Sequence, residues 1–221
     1  MSTTNKNQKN SQLKNFLKHY FGGLLLLISL VATTAIITLN LTFTYPLISR
    51  WLNLDLMTGV DHATLFYNYR RIIHYTNWPW ITTLYMPDFP MSTTGEFHFW
   101  EVKVIFQVLQ VIALLFVAWL IYAKRKQKQL RAYFNACANL TFFIFGSFLV
   151  IMLIDFDFFF YWFHRTFFNN DYWIFHPAYD PIILALPWEL FMIKGFIIIG
   201  LLFLVATVIK IRFYLKKRRK V

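Results

Sequence analysis

Four long stretches of this chain are almost free of charge, and the segments between them hold nearly all of it. The first apolar run extends from Tyr20 to Ser49, with its most apolar part from Phe21 to Phe43; the others are Val104 to Ala123, Tyr133 to Ile154, and Leu190 to Ile209. Runs of about 20 apolar residues cross a hydrocarbon layer as helices. Lys194 alone interrupts the fourth run, near its start, where a long side chain can reach an interface by snorkelling. The pattern predicts transmembrane helices at 20–45, 104–123, 133–154 and 190–209, a short loop at 124–132, and two longer connecting segments at 46–103 and 155–189. In the first of these segments, turn signals at Asn77–Pro79, Met86–Pro90 and Thr93–Gly95 surround Thr82, Thr83, Leu84 and Tyr85. Short strands or extended pieces are therefore expected there, beside a helix over Ala63–His74. The expected fold class is an all-α membrane bundle, four transmembrane helices with a small aromatic-rich cap that has room for short strands. The polar residues Met1–Lys14 read as unstructured.

Composition agrees, since the chain has 221 residues, is 58% hydrophobic and has a mean hydropathy of +0.48. Charge then predicts orientation, because lysine and arginine near span ends stay on the cytoplasmic side while acidic residues count for little. Residues 1–19 hold four lysines, the loop 124–132 holds five basic residues and the tail 210–221 holds seven, with no Asp or Glu in any of them. All ten acidic residues fall in 46–103 and 155–189, with only five basic ones. Both termini are expected in the cytosol, with the two acidic segments forming an extracellular cap. The formal charge of +12 is then a topology signal, and no nucleic-acid partner is implied. The cluster Lys216–Lys220 reads as an anchor on anionic membrane lipid. The first apolar run is too long for a typical signal-peptide core and lacks a small-residue cleavage site, so it reads as a retained anchor. The single cysteine, Cys137, lies inside a span, which excludes an internal disulfide and a cysteine-based metal site or catalytic thiol at the outer face. With no internal repeat and no long linker, one compact membrane domain is expected.

The chemistry concentrates in the cap. From Asp155 to Phe175, twelve of twenty-one residues are Phe, Tyr or Trp, interleaved with Asp155, Asp157, His164, Arg165, Asn169, Asn170 and Asp171. That much ring surface does not suit water and those polar groups do not suit lipid, which points to a place where an apolar ligand meets a titratable side chain. Five of the six histidines, His62, His74, His98, His164 and His176, fall in the cap. His98 stands just before the second span, and on a helix Glu101 shares its face and could fix the imidazole tautomer. Lys103, Gln107 and Gln110 continue a polar stripe that should face the bundle interior. If helix continues through the aromatic run, Asp157, Tyr161 and His164 share a face, placing a carboxylate near the second imidazole. Each histidine taken alone is equally consistent with an interfacial residue in an aromatic belt. Together they predict two imidazoles at one membrane face.

These residues resemble a known family. The stretch His98-Phe-Trp-Glu-Val-Lys103 is similar to a His-Met-x-Asp-Val-Lys signature. Phe163-His-Arg-Thr-Phe-Phe, Trp173, Asp180-Pro-Ile-Ile and Pro187-Trp-Glu-Leu-Phe191 are similar to that family's second, longer signature. The family is the bacterial lipoprotein intramolecular transacylases, four-span membrane enzymes with an extracellular cap. The resemblance covers the whole topology and is specific over residues 96–106 and 163–191. Phe99 stands where methionine is usual, Glu101 where aspartate is usual, and His176 where an acidic residue is often found, so His176 is not counted as catalytic. What the resemblance implies is transfer of the sn-2 acyl chain of an S-diacylglyceryl-cysteine to the α-amino group of the same cysteine, leaving a lyso-form lipoprotein. It maps the catalytic histidines onto His98 and His164; Glu101, Asp157, Tyr161, Lys103, Trp173 and Asp180 are orienting or substrate-binding candidates. The substrate would be a diacylglyceryl-modified lipoprotein held among membrane lipids, with no cofactor and no metal.

Such a reaction asks for groups of this kind. An α-ammonium with a pKa of about 8 must lose a proton to attack, and the departing glyceryl alkoxide must gain one. Two readings from other classes stay open. A metal-dependent membrane hydrolase could use His98, His164 and His176 with Asp157, Asp171 or Asp180, although no His-x-x-x-His or His-Glu-x-x-His spacing occurs. A non-catalytic lipid-binding membrane protein would need only the aromatic cap. A transporter is weaker, because the second and third spans lack internal ionisable residues.

Overall fold

Long apolar runs satisfy their backbone groups internally only as helices, and the computed structural model is helical throughout its long elements. It describes residues 2–123 and 127–218. The order is α1 (Ser2–Asn40), α2 (Thr44–Trp51), α3 (Leu54–Thr58), α4 (His62–Asn77), α5 (Thr93–Ala123), α6 (Gln127–Ile154), α7 (Phe156–Phe167), a 3-10 helix (Pro181–Ala185) and α8 (Trp188–Arg218). Four of the described helices contain stretches long and apolar enough to span a membrane, Gln8–Asn40, Thr93–Ala123, Leu130–Ile154 and Trp188–Leu215. The chain is a multi-pass membrane protein. Residues 124–126 and 219–221 of the basic loop and tail lie outside the described residues.

One expectation is revised and two are made specific. Residues Ser2–Lys14 extend α1 rather than lying unstructured; Lys, Gln and Leu favour helix, and an existing membrane helix has already nucleated it. No strand occurs among the described residues, and 78–92 runs as turns and unpaired extended chain. Lys194 turns to backbone carbonyls. Its Nζ donates to the carbonyls of Thr38 and Leu41, each at 2.9 Å, and so caps the C-terminal end of α1.

Contacts divide the chain into two units. The first comprises 1–34, 112–150 and 198–221. Its core gathers Leu26, Leu27 and Cys137 with Phe116, Trp119 and Tyr133. Close approach here depends on glycine: a Cβ on Gly23 would lie 2.7 Å from Ala136 Cβ and 2.8 Å from the Cys137 nitrogen. Small residues at helix contacts are how membrane helices gain dispersion contact without a hydrophobic drive.

The second unit comprises 35–111 and 151–197 and contains α2, α3, α4, α7 and the 3-10 helix. Its core packs Tyr45, Leu54, Leu65, Tyr69, Ile72 and Phe99 with Ile182 and Leu190. Tyr45 stacks on Tyr69 at 4.1 Å and its hydroxyl donates to the Ala185 carbonyl at 2.8 Å, so the buried ring leaves no polar atom stranded. Burial raises both phenol pKa values above the ordinary tyrosine range. The polar stripe on α5 pins the extended chain. Lys103 Nζ donates to the Ile81 carbonyl and sits 4.3 Å from the Tyr75 ring centroid, and Gln110 donates to the Asn77 carbonyl and side chain at 3.3 and 3.1 Å. That backbone makes no sheet ladder, and the stripe supplies partners in its place.

Candidate active site

The site is built by two helix N-termini. α6 ends at Ile154, Asp155 adopts an extended conformation, and its carboxylate accepts from the Phe158 N–H at 2.9 Å to start α7. At the start of α5, Ser92 Oγ accepts from the Gly95 N–H at 3.0 Å. Asp180, buried, holds Ser92 in turn: it accepts from the Ser92 N–H at 2.8 Å and from its hydroxyl at 2.9 Å to each carboxylate oxygen. A Cβ on Gly95 would lie 2.4 Å from Asp180 Oδ1, so only glycine admits the carboxylate there. One turn further along α5 comes His98.

His98 and His164 are both buried, and their ring centroids are 5.9 Å apart at an interplanar angle of 39°. Phe168 packs against both, at 4.7 Å from His98 and 5.6 Å from His164. Phe175 closes on His98 at 5.7 Å, while Phe160 and Trp173 flank His164 at 4.1 and 4.6 Å. Among the described residues no other pair of the cap histidines meets in this way. His62 bonds Ser49 at 2.7 Å and lies 3.4 Å from Asp55, and exposed His176 accepts from the Ala178 N–H at 3.2 Å.

The two rings are oriented differently. His164 Nδ1 lies 2.8 Å from the Phe160 carbonyl. A carbonyl only accepts, so Nδ1 bears the hydrogen and a neutral ring leaves Nε2 with its lone pair. Burial lowers the His164 pKa from its ordinary 6.5, with the Phe160 carbonyl opposing the shift, so the ring is neutral at pH 7. His98 Nδ1 faces Glu101 Oε2 at 3.8 Å, too far for a hydrogen bond, and among the described residues neither atom has a hydrogen-bond partner. The other carboxylate oxygen of Glu101 accepts from Asn170 Nδ2 at 2.8 Å. Asn170 is itself tied in, because its carbonyl accepts from Trp173 Nε1 at 3.1 Å. A chain of contacts thus runs from His98 past Glu101, Asn170 and Trp173 to His164.

Other candidates sit differently. Asp157 is exposed, and the ring nitrogen it was expected to hold is occupied by the Phe160 carbonyl. The cause is helix geometry: the carbonyl four residues back lies directly beneath the His164 ring, whereas Asp157 sits seven residues back, about 10 Å down the same face of α7. Tyr161, 46% exposed, packs on Trp173 at 5.8 Å. Lys103 and Asp180 hold the framework around α5 without touching either imidazole. Asp171 pairs with Arg165 at 2.8 Å. Asn170 is the member of the site that the motifs did not single out; the only signal was a polar doublet, Asn169-Asn170, inside the aromatic run. Among the described residues no three His, Cys, Asp or Glu side chains are grouped to hold a metal ion. A cavity of about 310 Å³ opens nearby, lined by Tyr75, Thr82, Glu96, Phe97 and Trp100, and neither histidine lines it.

Fold and site together define a multi-pass membrane protein with paired imidazoles in an aromatic enclosure, equipment suited to an acyl-transferring or hydrolytic enzyme. The family model described as lipoprotein intramolecular transacylase Lit matches residues 20–191, and the chain belongs to that family. It is accordingly an acyltransferase of lipoprotein maturation. Among solved structures, the membrane integral lipoprotein intramolecular transacylase Lit from Bacillus cereus is similar, with 26% identity, a TM-score of 0.81, and coverage of 95% of this chain and 100% of that one. Variants of the Bacillus cereus protein with a histidine replaced by alanine or by arginine share the fold, each at 24% identity and 97% coverage of this chain, with TM-scores of 0.74 and 0.70. No curated protein matches the chain.

Proposed function

We propose that this enzyme moves the sn-2 acyl chain of an S-diacylglyceryl-cysteine onto the α-amino group of the same cysteine, with His98 and His164 as the acid–base pair. The observation that supports this most is the juxtaposition of the two buried imidazoles, 5.9 Å apart, inside a wall of rings. His164 Nε2 accepts a proton from the substrate amine. The amine nitrogen attacks the ester carbonyl, the tetrahedral intermediate collapses, and the carbon–oxygen bond to glycerol breaks as the amide bond forms. His98 donates a proton to the departing alkoxide. Amine and ester belong to one molecule, so the enzyme's main task is holding a flexible substrate folded; such orientation supplies roughly 7–11 kcal/mol in well-aligned cases. Phe160, Phe168, Trp173 and Phe175 also keep out the water that would hydrolyse the ester. The charge distribution supports a topology with both termini in the cytosol and this site at the extracellular face, within reach of the outer leaflet.

The test is expression in a host that makes diacylglyceryl lipoproteins, followed by mass spectrometry of their N-terminal lipopeptides. Acyl transfer to nitrogen with unchanged lipopeptide mass is expected. His98→Ala and His164→Ala should each lower the transfer rate by about 10²–10⁴-fold while the protein still folds. One fully active variant would refute the two-histidine mechanism, and loss of activity on adding a chelator would favour the metal hydrolase.

A further inference from the structure

The unit formed by 1–34, 112–150 and 198–221 contains no aspartate or glutamate. It holds four lysines before His19, five basic residues between 124 and 132, and seven from Lys210 onward. On it lies a cavity of about 350 Å³ whose lining includes Phe16, His19, Tyr20, Arg131, Asn139 and Phe213. Beside it the half-buried Lys210 donates to Asn135 Oδ1 at 2.8 Å and also to Asn139 Oδ1. Those amides solvate the ammonium without neutralising it, and this unit offers no carboxylate to do so. A cation near hydrocarbon with no counter-charge is costly, and the anion a bilayer supplies at that level is a lipid phosphate.

We infer that this cavity binds the phosphate of an anionic phospholipid headgroup, gripped by Arg131 with His19 and Tyr20 as further donors. Guanidinium presents the forked donor geometry that suits phosphate oxygens. The Tyr20 oxygen accepts from Asn139 Nδ2 at 3.5 Å, which leaves the phenolic hydrogen to donate into the cavity. Phe16 stacks at 4.4 Å on Tyr20, and with Phe213 it provides an apolar wall for the glycerol and upper acyl chains. A zwitterionic headgroup would bring its own ammonium against this acid-free unit. The lipid is therefore one with no amine in its headgroup, of the phosphatidylglycerol type.

The test uses the purified full chain in non-ionic detergent, read by native mass spectrometry and by thermal unfolding with added phosphatidylglycerol, phosphatidylcholine or inorganic phosphate. One retained phosphatidylglycerol and a Tm rise of several degrees specific to it are expected. Arg131→Gln should keep the lipid-free Tm and lose more than half of that rise, while Lys9→Gln, which removes an equal charge away from the cavity, keeps it. If Arg131→Gln does not fold, His19→Gln serves in the same measurements and should lose at least a third of the rise. An equal rise with phosphatidylcholine, an equal loss in Lys9→Gln, or a full rise preserved in the cavity variant would overturn the site. The same rise with inorganic phosphate alone would show a soluble anion site and overturn the lipid.

Discussion

Gly95→Ala tests whether the Asp180 clamp sets the start of α5. Helix propensity alone predicts stabilisation, since alanine exceeds glycine by about 1 kcal/mol in a helix interior. The structure predicts the opposite sign, because the new methyl would lie 2.4 Å from Asp180 Oδ1. That contact displaces a buried carboxylate from the Ser92 N–H and hydroxyl. Hydrogen bonds to a charged group contribute about 1.5–3 kcal/mol each. Losing the equivalent of one or two gives roughly 1.5–6 kcal/mol, which exceeds the propensity gain and leaves a net loss of about 0.5–5 kcal/mol. For a chain of this length each kcal/mol moves Tm by about 2–4 °C. Thermal unfolding of Gly95→Ala, Asp180→Ala and the double variant closes the cycle. In the Asp180→Ala background the methyl meets only Ser92 Oγ, at 3.3 Å, a hydroxyl then free to turn away, so Gly95→Ala should there be neutral or stabilising by up to about 1 kcal/mol. A stabilised single variant, or additive effects in the double, would refute the clamp.

Asn170→Ala frees the second oxygen of Glu101 and should slow transfer by about tenfold with Tm nearly unchanged; a shifted pH–rate profile would distinguish this from simple loosening of the loop. Because the His164 pKa is lowered in the folded state, the unfolded chain binds more protons as pH falls through 6.5, so stability is full above that value and declines below it. A pH series of unfolding midpoints for wild type and His164→Gln should show the acid-side decline flattened in the variant. Gly23→Ala, whose methyl meets Ala136 and the Cys137 backbone, should cost about 1–3 kcal/mol in the same unfolding assay.

The four spans were legible because lipid tolerates no stray charge, and a long uncharged run leaves few alternatives to a helix. The histidines were legible in a different way, through motif resemblance and through both falling at the ends of spans. What supports them was not. The group that orients His164 is a backbone carbonyl at Phe160, and any residue there would supply the same oxygen. Asn170 reaches Glu101 from 69 positions away, a distance no local periodicity encodes. Asp180 stood out within a motif, yet its partner is the serine that begins α5, and only the tertiary fold joins them. Lys194 looked like an interruption to be carried to the interface, and only the fold shows that the open carbonyls at the end of α1 are its partners.

The break at Asp155 leaves α7 with twelve residues, a rod about 18 Å long that cannot cross a bilayer. Of its side chains His164 is the buried one, while Phe158, Tyr161, Trp162, Phe163 and Phe167 are exposed rings. Such rings settle where hydrocarbon meets headgroups, so α7 behaves as a float whose draught is set by the surrounding lipid. The imidazole hangs from that float at a fixed height. On the proposed mechanism, its level relative to the ester linkages of the leaflet then depends on bilayer thickness, so the rate of transfer should vary with the lipid in which the enzyme is reconstituted.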